Sequence, residues 1–498
     1  MASEHSAAAG AGQPSALVRF VQFVPLGAVA VVLLDSATDF FPDDPLAGIL
    51  TPTRLALLLG VIALVVPVRG RPRARLRDFR TRLDLPIGLL VAVSAATTYR
   101  GGHPTAPLRG LLTVIACHYL VVAVRRTRPE SWGAIGLLAL TGVAAAATSA
   151  FSQVTNETPT GFCRTGLLTD VACDAAGDGA LIRATGTFAN PNLLAAFLVL
   201  FLPFALLATV CVDERTARTA VVVLVVIGYG ALLTTFSRAG YVAGAAGLLV
   251  LGGAYWLASR IADRAQRRLF AALGTLALLG AAGAIWAVSR AGNSLGVRGQ
   301  AWEAALRLAA DNPLGVGLGR SGAAISATAP GGRTFVHAHN LWLNWLVEAG
   351  PLGLLSITAV AVIAVIAVSC AARAARAKSV IGTVGLAALT GFFLMSMMDH
   401  PANLDRIDAL LWCALAVVMA ETPATWRNRT GTSLSPRPRS NAPATAPSAS
   451  APPGRRRERR ESRGQPAPQV LLRSSPLTTF PLAFRGSSLT NSTIRGTL

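Results

Sequence analysis

Charge is scarce in this 498-residue chain. Only 14% of its residues are charged and 52% are hydrophobic. That balance excludes an ordinary soluble domain, and several apolar runs approach the ~20 residues needed to cross a bilayer. Acidic side chains are the scarcer sign, 24 against 45 Lys and Arg, for a net charge of +21. The excess is uneven: residues 422–498 hold thirteen Arg against two Glu, so about half of the net charge lies in one tail. The remainder sits mostly in short loops. Nucleic-acid binding is therefore a poor explanation of the charge, and anionic lipid with the positive-inside rule a simpler one. The six cysteines form no CxxC and no other metal pattern. Cys117, Cys211, Cys370 and Cys413 fall in or beside apolar runs and read as small core residues. No basic n-region precedes the first apolar run, so no cleavable signal peptide is expected. A surplus of Ala, Gly, Val and Arg with few lysines points to a GC-rich bacterial genome.

What is present is a series of apolar stretches. They predict an all-α, polytopic membrane bundle of about twelve spans, near 16–34, 46–68, 84–99, 107–124, 131–150, 190–212, 219–236, 239–258, 269–288, 350–372, 379–398 and 406–421. Alternate loops are short and mostly basic: "RGRPRARLRDFRTR" (69–82), "RRTRPE" (125–130), "DERTAR" (213–218), "SRIADRAQRR" (259–268) and "ARAARAK" (372–378). Their phase places them, and both termini, in the cytoplasm. The expected organisation is a short N-terminus (1–15), a membrane domain (16–421) and a disordered basic tail (422–498) whose "GRRRERRESR" suits a lipid surface. Two long loops then fall outside, 151–189 and 289–349, the second between spans nine and ten. Cys163 and Cys173 flank "CRTGLLTDVAC" in the first, where a local disulfide is compatible with an oxidising compartment. Ala301, Ala304, Ala305 and Leu308 make an apolar helix face in the second, ended by Asn312-Pro313.

Topology already explains the cytoplasmic arginines. Those outside need another reason: Arg183, Arg238, Arg298, Arg320 and Arg333. Arg238 lies in a tight turn, "LLTTFSRAGYVAG", and a charge that close to hydrocarbon usually faces a cavity or partner. Asn190 reads as a helix N-cap with Pro191 as the first helical residue, and a helix N-terminus also favours anions. In "FVHAHNLWLNWLVEAGPLG" (335–353), a helix starting near His337 would align His337, Asn340, Asn344 and Glu348 as one polar stripe. A surface helix would carry Lys or Arg on that stripe, and none occurs. Asp399, His400 and Asp405 form a weaker cluster before the last span. Guanidinium groups clamp diphosphate and stay charged, and a histidine can take a proton from a sugar hydroxyl near neutral pH. Together they suit transfer of a glycosyl group from a lipid diphosphate.

Four stretches in order, "TGTFANPNLLAAFLVLFLPFAL", "FSRAGYVAG", "RGQAWEAALRLAADNPLGVGLG" and "AHNLWLNWLVEAGPLGLL", resemble the O-antigen ligase and polymerase superfamily over roughly 180–360. The resemblance implies a bacterial enzyme of polysaccharide biosynthesis in the cell envelope. It would be a membrane glycosyltransferase at the outer face of the cytoplasmic membrane. It would move a glycan from a polyprenyl (undecaprenyl-type) diphosphate donor to a glycan, lipid or protein acceptor, with inversion, without metal and without cofactor. It assigns Arg238 and Arg298 to the site and favours His339, where the stripe favours His337. Of the two, the motif carries more weight. Glu348 matches the "E-G--G" ending and would support the histidine. Arg183 remains an additional clamp candidate, and Asn190, His337, Asn340 and Asn344 substrate contacts. The rival expectation is a lipid-linked glycan transporter or flippase without transferase activity, against which the lack of any visible repeat counts.

Overall fold

The computed structural model describes residues 16–40, 51–66, 74–128, 131–165, 169–173, 180–210, 212–259, 296–374 and 380–422. Among them the helices are α1 (Ala16–Thr38), α2 (Pro52–Val65), α3 (Leu76–Phe79), α4 (Asp84–Arg100), α5 (Ala106–Thr127), α6 (Trp132–Thr155), α7 (Pro191–Ala205), α8 (Arg215–Thr234), α9 (Arg238–Ser259), α10 (Val297–Asp311), α11 (Ser321–Thr328), α12 (Leu341–Ala374), α13 (Val380–Met395) and α14 (Asp405–Ala420). The architecture is an all-α membrane bundle. Ala106–Thr127, Trp132–Thr155, Pro191–Val210, Arg215–Thr234 and Leu341–Ser369 are long and apolar enough to cross a bilayer. The other expected spans also coincide with helices, apart from the ninth at 269–288, which lies outside the described residues together with 1–15 and 423–498.

Local chemistry sets where helices begin. Asn190 accepts from the Asn192 N–H at 2.8 Å and Pro191 follows it, so α7 starts there. α7 is apolar all round, "PNLLAAFLVLFLPFA", and such a helix can only be buried. It packs against α6, α8, α9 and α13. Gly136 of α6 makes one close approach, since a Cβ there would lie 2.4 Å from the Ala208 backbone nitrogen just beyond α7. α8 is the opposite case: Val222, Val223, Leu224, Val226, Ile227 and Leu233 stay exposed, as on a lipid-facing helix.

One loop adds structure of its own, and one expectation needs correction. The 151–189 loop carries a small antiparallel sheet, in the order β2-β1-β3, of β1 (Cys163–Thr165), β2 (Thr169–Val171) and β3 (Leu181–Ile182). A disulfide joins Cys163 to Cys173. The polar-stripe helix does not start near His337. His339 has φ 51°, in the left-handed region, and Asn340 caps a helix that begins at Leu341. α12 is itself two helices, because Gly350 (φ 66°, ψ −167°) precedes Pro351 and breaks it. A Cβ on Gly350 would lie 2.5 Å from the Pro313 carbonyl, so only glycine lets the loop after α10 sit on this kink.

Candidate active site

Four connections meet at one end of the bundle: the stretch before α7, the α8–α9 turn, the segment from α10 to α12, and the α13–α14 loop. Asn340 ties two of them. Its Oδ1 accepts from the N–H groups of Trp342 (2.9 Å) and Leu343 (3.0 Å), capping α12. Its Nδ2 donates to the Met397 carbonyl at 2.9 Å, and the Leu341 N–H donates to the Ser396 carbonyl at 3.0 Å. The start of α12 is thereby fastened to the loop that carries Asp399.

Asp399 is the node of the site. Its Oδ1 accepts from the His400 N–H (2.8 Å) and faces His339 Nδ1 at 3.4 Å and His337 Nε2 at 3.8 Å. Its Oδ2 accepts from Asn192 Nδ2 at 3.1 Å and lies 4.0 Å from Arg298 Nη2. α10 supplies two of these restraints from one face, one helical turn apart: Arg298 towards Asp399, and Trp302 Nε1 donating to the His339 carbonyl at 3.3 Å. The His339 side chain keeps 30% of its surface exposed, against 13% for His337, so His339 is the more open imidazole.

Electrostatics sharpen these roles. Burial alone would push the Asp399 carboxyl up. The His339 hydrogen bond and the Arg298 charge outweigh it, with both histidines acting in the same direction, and hold Asp399 well below the usual carboxylate range. It is an anion at any working pH. Burial pulls His337 down to about 4, helped by His339 and Arg298 and opposed by Asp399. Burial also pulls His400 down to about 3, with His337 adding to it. Both rings are neutral near pH 7.

The ligand atoms of His337, His339 and Asp399 all lie within 4.8 Å of one another, a convergence of metal-ligating types that sequence spacing did not reveal. The His339 backbone N–H donates to His337 Nδ1 at 3.0 Å. A neutral His337 therefore carries its proton on Nε2, the atom facing Asp399. A proton on that atom, 3.8 Å from the carboxylate, opposes metal ligation through Nε2.

The remaining candidates fall into place around this node. Arg183 is buried, donates from Nε to the Thr235 carbonyl (3.1 Å) and from Nη2 to Asn192 Oδ1 (3.4 Å). Asn192 thus links Arg183 to Asp399. Arg238 opens α9 three residues beyond Thr235, is exposed, and has no hydrogen bond or ion pair among the described residues. Asn190 caps α7. Asn344 Oδ1 accepts from the Ala338 N–H at 3.3 Å and steadies the chain between the histidines. Glu348 is buried and is not brought to the histidines. It accepts from the Ser321 hydroxyl at 2.7 Å, and its carbonyl accepts from the Gly317 N–H at 3.1 Å, so it fastens the glycine-rich "GVGLG" segment onto α12. Sequence spacing leaves Asp399 a minor candidate and Asn192 none, since Asp399 lies 60 residues from His339 and 207 from Asn192.

Residues 220–358 match the family described as O-antigen ligase. No curated protein matches the chain. The matched region contains Arg238, Arg298, His337, His339 and Glu348, while Asn192 and Asp399 come to it only through the fold. That match, confined to residues 220–358, supports membership of the O-antigen ligase superfamily.

Proposed function

We propose that this protein is a bacterial inner-membrane glycosyltransferase, with twelve spans, both termini in the cytoplasm and the site on the outer face. The donor is a glycan on a polyprenyl diphosphate, and the acceptor is a hydroxyl of another glycan, a lipid or a protein. His339 donates from Nδ1 to Asp399, which leaves Nε2 bare as the general base. It removes the acceptor proton as the acceptor oxygen bonds to the anomeric carbon from the face opposite the leaving group. The bond from that carbon to the diphosphate oxygen breaks, and the electron pair leaves with the diphosphate. Arg298 and Arg238 stabilise the charge that develops there. Asp399 stays ionised, fixes the tautomer of His339 and stabilises its protonated form, a role that any carboxylate–imidazole pair can fill. Inversion follows from direct displacement, and the cationic clamp serves without a metal.

The observation that carries this reading is Asp399, shared between His339, the more open of the two histidines beside it, and an arginine of the matched family region. The test is product formation from a defined polyprenyl-diphosphate glycan by purified protein. Loss of product in His339→Ala and in Asp399→Asn, at unchanged protein level, is expected. Full activity in Arg238→Ala and Arg298→Ala would sink the assignment. Movement of the intact lipid-linked glycan across vesicles without transfer would favour a flippase.

A further inference from the structure

Arg164 lies between the two disulfide-bonded cysteines, is only 4% exposed, and has no part in the mechanism above. It sits on the central strand of the small sheet, held on one side by β2 and on the other by β3. From there its Nη1 reaches the Phe236 carbonyl at 3.5 Å, and its guanidinium lies 5.7 Å from the Phe236 ring. Phe236 has φ 48°, an uncommon backbone state for a bulky residue, which neighbours must hold. Arg183, next along from β3, holds the adjacent Thr235 carbonyl, and the Ala184 N–H donates to the Thr234 carbonyl at 3.0 Å. Three successive carbonyls of one turn are thus gripped from the sheet and from the two residues that follow it. The turn ends at Ser237, whose Oγ accepts from the Gly240 N–H and caps α9, and Arg238 follows immediately.

We propose that Arg164, fixed by the Cys163–Cys173 hairpin, is a positioning residue for Arg238: it holds the Phe236 turn in the conformation that aims Arg238 at the donor diphosphate. This rests on the reading of Arg238 as a diphosphate clamp. The hairpin then contributes to donor affinity without touching the donor, and opening it weakens that affinity while His339 and Asp399 stay in register.

The experiment uses the full chain in detergent with farnesyl diphosphate as a short polyprenyl-diphosphate probe, alongside transfer assays. Arg164→Ala is expected to weaken probe binding about ten-fold, the scale of one charge-assisted hydrogen bond. KM for the donor should rise correspondingly, while kcat stays within about two-fold. Arg164→Lys should recover part of the binding. The double variant Cys163→Ser, Cys173→Ser, and wild-type protein treated with a phosphine reductant, should move in the same direction as Arg164→Ala. Arg238→Ala is the reference and should abolish probe binding. If Arg238→Ala abolishes binding while Arg164→Ala and the opened hairpin bind as wild type, the positioning role is overturned and the diphosphate reading stands. If Arg238→Ala binds normally, the diphosphate reading falls, and the positioning role falls with it. A lowered melting temperature with unchanged probe affinity would make Arg164 merely structural and also overturn the proposal.

Discussion

Arg126, in the last turn of α5, and Arg298, in the first turn of α10, lie near opposite ends of α14. Arg126 donates to the carbonyls of Asp78, Arg80, Met419, Ala420 and Thr422. These include carbonyls that the end of α14 leaves without intrahelical partners. Its neighbour Arg125 pairs with Glu421 at 3.0 Å and stacks 3.8 Å above Trp132. Arg298 has one contact, 4.0 Å from Asp399, and Arg238 has none among the described residues. The same side chain thus closes a helix end in one place and holds its donors open in the other. A guanidinium whose donors are all used adds stability. Arg298, with few protein partners beside a buried carboxylate and an open imidazole, is the kind of guanidinium proposed above as a diphosphate clamp.

The most direct way to break that contrast is to remove the arginines. Arg298→Ala and Arg238→Ala are each expected to lower glycan transfer by about 100-fold or more, as for loss of a group that meets developing charge. Melting temperature should barely move, because neither loses many contacts. Arg126→Ala should do the reverse, costing roughly 2–4 kcal/mol of stability for several lost bonds to charge, with activity per folded molecule retained. Transfer assays paired with thermal unfolding on the same preparations decide. Parallel losses of activity and stability in all three variants would erase the distinction.

Within the site, the comparison narrows to the two histidines. Asp399→Asn keeps the shape of the node and removes its charge, and should lower turnover by roughly 100-fold, the scale of a misoriented general base. His339→Ala should lose more activity than His337→Ala when rates are measured at saturating donor. The reverse order would transfer the base to the buried ring, against the exposure difference between them.

Most of the bundle was legible because apolar runs and capping residues act locally. Asn190-Pro191 announces the start of α7, and the all-apolar α7 announces its own burial. The polar stripe from His337 was misplaced because periodicity cannot see that His339 turns left-handed before Asn340 caps the helix. Arg238 stood out as a charge in a short turn close to lipid, whereas Arg298 and His339 were singled out through the family resemblance. Asp399 did not, since a carboxylate in an external loop is ordinary until a fold sets it against Arg298 and two histidines. Arg164 looked like any loop arginine until β1 was enclosed between β2 and β3.

The site should also respond to acid. His337 and His400 have folded-state values of about 4 and about 3, below their ordinary 6.5. A depressed histidine takes up protons more readily when unfolded, so stability rises with pH across that window. The contribution is complete above pH 6.5 and is lost as pH falls from 6.5 towards 4 for His337 and towards 3 for His400. Asp399, held low by His339, Arg298 and His337, adds a loss of the same sign only below its ordinary carboxylate range. Between pH 6.5 and 5 each histidine should cost up to about 2 kcal/mol. Melting temperature against pH measures this, and His337→Gln should flatten the slope. An unchanged slope in that variant would mean that His337 opens to water before the fold is lost.

The smallest expected effect separates a structural polar group from a functional one at the same end. Asn190 accepts from the Asn192 N–H, and Asn192 in turn donates to Asp399, so Asn190 is one residue removed from the node. If its role is only to cap α7, Asn190→Ala should cost about 1 kcal/mol of stability and leave the donor KM unchanged, while Asn190→Asp, an equally good cap, should cost almost nothing. If Asn190 instead meets the donor, Asn190→Asp would set a carboxylate against the diphosphate and be the more damaging change. The two substitutions therefore rank in opposite orders under the two roles. Donor KM and melting temperature measured on both variants decide between them, and the cap geometry favours Asn190→Ala as the worse of the two, through stability alone.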